Sequence, residues 1–144
     1  MGWEQAFINR HRVARLATVS AAGQPHVIPI VYAFASEKLY TPVDAKPKRV
    51  AMRKLQRVRN IEANEWVAVV IDEYSEAWTQ LAWVQIRGIA RVADEGPERD
   101  TGLELLRQKY SQYQAMPLAN SLIVVITVRH MTSWRARDFE EGKS

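Results

Sequence analysis

At 144 residues, the chain is long enough for one core, and a compact fold of this size buries about 68 to 70% of its unfolded surface. Hydrophobic residues make up 47% and charged residues 25%, a globular balance that excludes disordered, collagen-like and low-complexity chains. The lack of cysteine excludes a disulfide framework, a thiolate metal site and a thiol nucleophile, and makes the cytoplasm the expected address.

The formal charge of +4 and a pI near 9.6 imply an anionic partner: nucleic acid, a membrane surface or a phosphorylated small molecule. Residues 1–13 mix Trp3, Phe7 and Ile8 with Glu4, Arg10, His11 and Arg12, so no signal peptide is expected. The longest apolar run, residues 122–126, is far shorter than the roughly 20 residues of a membrane span, and a soluble protein is expected.

Residues 3–12 predict a short amphipathic helix, because Trp3, Phe7 and Ile8 fall at i, i+4 and i+5 between polar residues. Two strand-like runs, residues 15–20 (RLATVS) and 26–35 (HVIPIVYAFA), flank a connection containing Gly23 and signal a hairpin. A tight connection at Ser36, Glu37 and Lys38 then leads to residues 39–43 (LYTPV), so the first third predicts a three-strand meander.

From Pro47 the period changes. Val50, Met52, Leu55, Val58 and Ile61 recur mostly at three-residue steps and Arg49, Arg53 and Arg57 every four, which predicts one helix with an apolar and a basic face, ended by Asn64. Residues 66–72 (WVAVVID) read as a strand buried on both faces, and residues 74–80 as a loop. Residues 81–92 alternate, with Ala82, Val84, Ile86, Ala90 and Val92 on one face and Gln85, Arg87 and Arg91 on the other, as in a strand with one wet side.

Asp94, Glu95, Gly96 and Pro97 signal a turn and a helix start, and Leu103, Leu106, Tyr110 and Tyr113 continue at helical spacing to about Gln114. Residues 121–128 (SLIVVITV), rich in β-branched side chains, predict a buried strand, and the polar residues 138–144 a frayed tail. About six strands with two longer helices inserted, and no linker or repeat, imply one domain over residues 1–144, an antiparallel barrel or sandwich of the α+β kind.

The common catalytic patterns are missing. His11, His26 and His130 lack metal-ligand spacing, the serines lack a G-x-S-x-G elbow, and there is no G-x-G-x-x-G or Walker motif. Asp72, Glu73 and Glu76 read as a solvated loop rather than a carboxylate pair. The densest signal is residues 46–59 (KPKRVAMRKLQRVR), seven of fourteen basic. Lys46, Lys48 and Arg49 fall at the helix start, where free N–H groups already favour an anion, so cations there are misplaced unless a phosphate joins them. A phosphate site, a solvated basic face and a nucleic-acid surface all remain open, although no aromatic interleaves the basic run as in nucleic-acid binders.

The order Leu16-Ala17-Thr18-Val19, Gly23-Gln24-Pro25, Leu39-Tyr40-Thr41 and Lys46-Pro47-Lys48-Arg49 resembles the pyridoxamine-phosphate-oxidase-like split barrels over about residues 13–93. Within it, Tyr40-Thr41-Pro42-Val43-Asp44-Ala45-Lys46-Pro47-Lys48-Arg49 is most similar to the F420-dependent branch, which uses a deazaflavin in place of FMN. The resemblance implies a six-stranded antiparallel split β-barrel, α+β and mainly β, with two or three flanking helices and a cofactor at a homodimer interface. It implies that Lys48 holds the cofactor phosphate, with Lys46 and Arg49 assisting and Thr41 beside it on the strand. Val43 and Asp44 belong to the same cofactor-binding stretch, and Ile28, Pro29, Ile30 and Val31 form the strand whose backbone faces the ring. Pro29 removes a ladder donor and suits an edge or bulge, where a flat ring can approach or where the edge is simply protected. Trp83 stands where the FMN oxidases carry a ring-contacting glutamine, and either lines the pocket or packs in the core or dimer interface.

Ile28 and Ala33 replace the basic residues at the ends of the second-strand motif in pyridoxamine phosphate oxidases, so that oxidation is not expected. The basic face of Arg53, Lys54 and Arg57 suits the anionic tail of F420 better than FMN. The expected function is therefore hydride transfer between reduced F420 and a small electron-poor molecule, with no metal, nucleic acid or membrane involved. Tyr74, Trp78 and Trp134 are candidates for acceptor specificity. Alternatives are FMN as cofactor, or a non-catalytic carrier of a cofactor or haem.

Overall fold

In chain order the elements are α1 (Glu4–Arg10), β1 (Ala14–Val19), β2 (Pro25–Ile30), β3 (Ala33–Ala35), β4 (Lys38–Pro42), α2 (Arg49–Arg53) and α3 (Gln56–Ala63). There follow β5 (Trp66–Glu73), a 3-10 turn (Trp78–Gln80), β6 (Ala82–Ala93), α4 (Pro97–Lys109), α5 (Gln112–Ala115), β7 (Ile123–Arg135) and α6 (Ala136–Glu140). The structure, a computed structural model, describes residues 2–43, 49–116, 118 and 120–140.

The strands form one antiparallel sheet in the order β2-β1-β5-β6-β7-β4-β3. Seven strands stand where six were expected, because the run 26–35 is two strands with Val31 and Tyr32 between them. Those two strands occupy opposite edges of the sheet. Only a curled sheet lets two residues join its edges, so this junction is where the barrel is closed in chain but split in hydrogen bonding. Tyr32 is fully buried there, and its hydroxyl donates to the Ile8 carbonyl at 2.6 Å, tying α1 to the seam.

Both hairpins follow from local backbone. Gly23, at φ +87°, turns β1 into β2, while Ser36 and Glu37, at φ 53° and 63°, form the two-residue turn of β3–β4. Positive φ at both central positions matches the right-handed twist of paired strands, at some cost for residues other than glycine.

Leu16, Leu39, Val69, Ile71, Ile86 and Ile126 fill the barrel interior. A second cluster, with Tyr40, Leu103, Leu106 and Ile123, lies between the sheet and α4. This explains why Ile123, Val124, Val125 and Ile126 are all buried: alternate residues face the interior and α4. The fit is close, since a Cβ on Gly102 would stand 2.8 Å from Tyr40 Cδ1. In contrast, β5 is not buried on both faces. Val67, Val69 and Ile71 point inward, but among the described residues no helix packs across the other side, and Trp66 is 49% exposed.

Six α-helices occur among the described residues, rather than two or three. The helix expected from Pro47 to Asn64 is broken at Lys54–Leu55, where Leu55 is extended (ψ 142°), giving α2 and α3. The next is broken after Lys109, leaving α5 as a separate turn. β7 runs on to Arg135 beyond the buried core, and part of the expected frayed tail forms α6, where Arg135 Nε donates to Asp138 Oδ1 at 2.8 Å. Among the described residues no helix is long and apolar enough to cross a membrane.

Candidate functional site

The split leaves a gap in the wall. β3 pairs with β4 only as far as Tyr40, so Thr41 and Pro42 have β7 on one side and no strand on the other. β2 likewise pairs only with β1. Between these free edges opens a cavity of about 560 Å³, within the range of small-molecule sites. Ile28, Pro29, Ile30 and Val31 form one wall, and Thr41, Pro42 and Val43 the other. Val13, Arg57, Tyr113, Met116 and Leu118 complete it.

Most of this lining is apolar. The exceptions are the Thr41 hydroxyl, the Tyr113 phenol and the Arg57 guanidinium. Thr41 is 1% exposed, and its Oγ1 has no hydrogen-bond partner among the described residues. A buried hydroxyl without a partner is uncommon, and one in a cavity wall is a standing donor and acceptor for whatever enters. Arg57 is 7% exposed and enters from α3. That helix is held by a chain of hydrogen bonds leading inward, in which Gln56 Nε2 donates to Asn60 Oδ1 at 2.6 Å and the buried Asn60 Nδ2 donates to Thr18 Oγ1 at 3.0 Å. Arg57 thus shares the inward face of α3 with Val58 and Ile61 instead of belonging to a solvated basic face. Arg53 is occupied elsewhere, 2.8 Å from Glu62 and 3.3 Å from Asp94.

Of the residues singled out from sequence, Ile28, Pro29, Ile30, Val31, Thr41 and Val43 are brought together on this cavity. Asp44, Lys46 and Lys48 lie outside the described residues, and Arg49 opens α2. Trp83 lies apart from the cavity on the outer surface of the sheet, in a shallow depression with Arg15, Val70, Asp72 and Gln85, and pairs in register with Trp134. No histidine lines the cavity, and no metal-binding cluster occurs among the described residues.

Sequence reasoning gave Arg57 only a general role on the basic face and missed Tyr113, Met116 and Leu118 as lining residues. The placement of Arg57 was legible in part, since it precedes Val58 and stands four residues before Ile61 on the apolar stripe. The others come from a distant segment that only the folded chain brings to the seam.

Behind the seam, Tyr110 Oη lies 3.1 Å from Tyr32 N, and Lys109 Nζ is 3.8 Å from the centre of the Tyr32 ring. Burial, with a smaller contribution from the Arg12 charge, lowers the Lys109 pKa to about 8. Burial also raises the Tyr32 and Tyr110 hydroxyls above their ordinary value.

The family profile described as pyridoxamine 5'-phosphate oxidase matches residues 4–135. Among solved structures, the chain is similar to the conserved hypothetical protein Rv2991 from Mycobacterium tuberculosis, with TM-score 0.78 and 21% identity over 97% of this chain and 88% of that one. It is similar to an F420 reductase, with TM-score 0.64 and 22% identity over 92% and 93% of the two chains. It is also similar to HutZ, the haem storage protein of Vibrio cholerae, with TM-score 0.71 and 14% identity over 92% and 91%. No curated protein sequence matches it.

Proposed function

The chain belongs to the pyridoxamine 5'-phosphate oxidase family, and from that premise we propose that it is an F420-dependent oxidoreductase whose deazaflavin binds in the seam cavity. The observation that carries this reading is the pairing of a mostly apolar slot with two buried polar groups, Thr41 Oγ1, without a partner among the described residues, and the Arg57 guanidinium. Such a lining fits a flat conjugated body carrying an anionic substituent.

In this reading the free edge of β2, from Ile28 to Val31, offers backbone groups to the ring edge, and Pro29 keeps another strand from pairing there. Arg57 and Thr41 hold an anionic oxygen, with Lys46, Lys48 and Arg49 as further phosphate ligands. The cofactor, when bound, supplies hydride chemistry; the residues around it bind, orient and exclude water. The acceptor is a small electron-poor molecule. The similarity to an F420 reductase supports the deazaflavin over FMN. The uncovered outer face of the sheet supports a homodimer.

The test is a calorimetric titration with F420, FMN and haem in parallel. Binding of F420 at low micromolar concentration, with FMN and haem much weaker, is the expected result. Preferential FMN binding replaces the cofactor, preferential haem binding ends the oxidoreductase reading, and binding of none removes the cavity assignment.

A further inference from the structure

We propose that Met116 is an oxidation-sensitive switch at the seam cavity, where conversion of its thioether to the sulfoxide by a peroxide loosens α5 and weakens ligand binding. The effect on binding rests on the reading of that cavity as the cofactor site, whereas the reaction at sulfur and the change in α5 depend on no ligand.

The side chain is placed for this reaction. Met116 is 49% exposed, whereas Met52 is 1% exposed and Met131 is half-buried against the barrel interior. Of these three, Met116 is the most open to a dissolved oxidant, which must reach the sulfur to react. It also lines the seam cavity, together with Val13, Tyr113 and Leu118. Its segment is lightly held. The buried Tyr110 and Leu118 anchor either end, while no residue of α5 between them is buried. α5 is tied to the end of α4 by the contact of the Tyr113 ring with that of Tyr110, at 5.9 Å, and by Gln114 Nε2, which donates to the Arg107 carbonyl at 2.8 Å.

In the reaction the sulfur lone pair attacks one peroxide oxygen, the O–O bond breaks as the S–O bond forms, and water leaves. The thioether is oxidised and the peroxide reduced, and a methionine sulfoxide reductase drawing on a thiol reverses the change. A thioether fills irregular apolar gaps, which suits this mostly apolar lining. The sulfoxide instead carries a strong acceptor oxygen, which costs free energy wherever it is buried without a donor. The Val13 and Leu118 side chains supply no donor, so the oxidised side chain turns to water, and α5, with no buried residue of its own, moves with it.

The test treats the full chain with hydrogen peroxide and follows three readouts. Peptide mass mapping should find one oxygen atom added at Met116 about tenfold faster than at Met52 or Met131. Hydrogen exchange over Ser111 to Met116 should quicken about tenfold in the oxidised protein, while the sheet exchanges as before. Calorimetric titration with F420 should show affinity about tenfold weaker after oxidation and restored by methionine sulfoxide reductase. Met116→Leu conserves volume and has no sulfur to oxidise, so peroxide should leave its exchange and its affinity unchanged. Oxidation of Met52 or Met131 as fast as Met116, unaltered exchange of α5 after oxidation, or the same peroxide response in Met116→Leu would each overturn the proposal. So would unaltered affinity in a protein that bound F420 before treatment. Failure of the untreated protein to bind F420 counts against the cofactor reading alone, and the mapping and exchange results still decide the switch.

Discussion

The hydroxyl of Tyr110 lies 3.1 Å from the backbone nitrogen of Tyr32 and 3.0 Å from its carbonyl oxygen, so the residue after α4 serves both backbone groups of the residue at which the barrel splits. The hydroxyl accepts from the Tyr32 N–H and donates its single proton to the carbonyl of Tyr32 or of Arg12, the latter at 2.8 Å. One side chain thereby does what strand pairing does elsewhere in the sheet.

Tyr110→Phe keeps the ring and removes this link, leaving the buried Tyr32 N–H unpaired. The expected loss is about 1–3 kcal/mol of unfolding free energy, the cost of an orphaned buried donor. Urea denaturation measures it. Because Val31 beside Tyr32 belongs to the cavity wall, cofactor affinity should fall as well, and a variant as stable as wild type would show that the seam does not depend on Tyr110.

Much of this architecture was legible in the chain because burial left a period. The alternation of β6 and the apolar spacing before Asn64 record one-sided burial directly. The division of residues 26–35 was not legible, since Ile30, Val31 and Tyr32 read as continuous strand and only sheet closure places Tyr32 between edges. β5 misled for the opposite reason: Ala68 and Val70 are apolar, yet they are only half-buried, with no helix across them among the described residues. At the site, the walls from β2 and β4 were recognisable by resemblance, whereas the contribution of Tyr113, Met116 and Leu118 depends on long-range packing that local pattern does not encode.

That uncovered face predicts self-association. Val27 and Trp66 are 62% and 49% exposed on the outside of the sheet, with Ala17 and Ala68 in register between β2 and β5. Exposed apolar surface of this kind marks an interface more often than free solvent contact. Sedimentation should find a dimer, and Val27→Glu with Trp66→Glu should give a folded monomer, since neither side chain contributes much to the core. A monomeric wild type would refute the prediction.

Lys109 predicts an unusual alkaline response. Its folded pKa, near 8, lies below the ordinary value of 10.5, so the unfolded chain holds this proton more tightly. Stability therefore rises between about pH 8 and 10 as the buried ammonium loses its charge. The Tyr32 and Tyr110 hydroxyls act in the other direction, because their raised folded values remove stability above about pH 10, the ordinary value at which the unfolded phenols ionise. Lys109→Met should abolish the rise and add about 1 kcal/mol at pH 7, a figure reduced from the full shift because the side chain is only half-buried. Urea melts from pH 7 to 11 measure both effects.

The two buried polar groups of the seam cavity should respond differently to removal. Thr41→Val is nearly isosteric and deletes a hydroxyl that has no partner among the described residues, so the empty protein should be as stable as wild type or slightly more so. Its cofactor affinity should nevertheless fall by about 0.5–1.5 kcal/mol, the net worth of a neutral hydrogen bond. Arg57→Ala removes a cation and should cost about 1.5–3 kcal/mol of affinity, or about 10- to 150-fold, with the loss largest for phosphate-bearing ligands. Comparing F420 with a dephosphorylated deazaflavin separates the two effects, since Arg57→Ala should narrow the gap between these ligands and Thr41→Val should leave most of it. If both variants bind F420 as wild type does, the buried polar pair is structural and the cofactor lies elsewhere on the barrel.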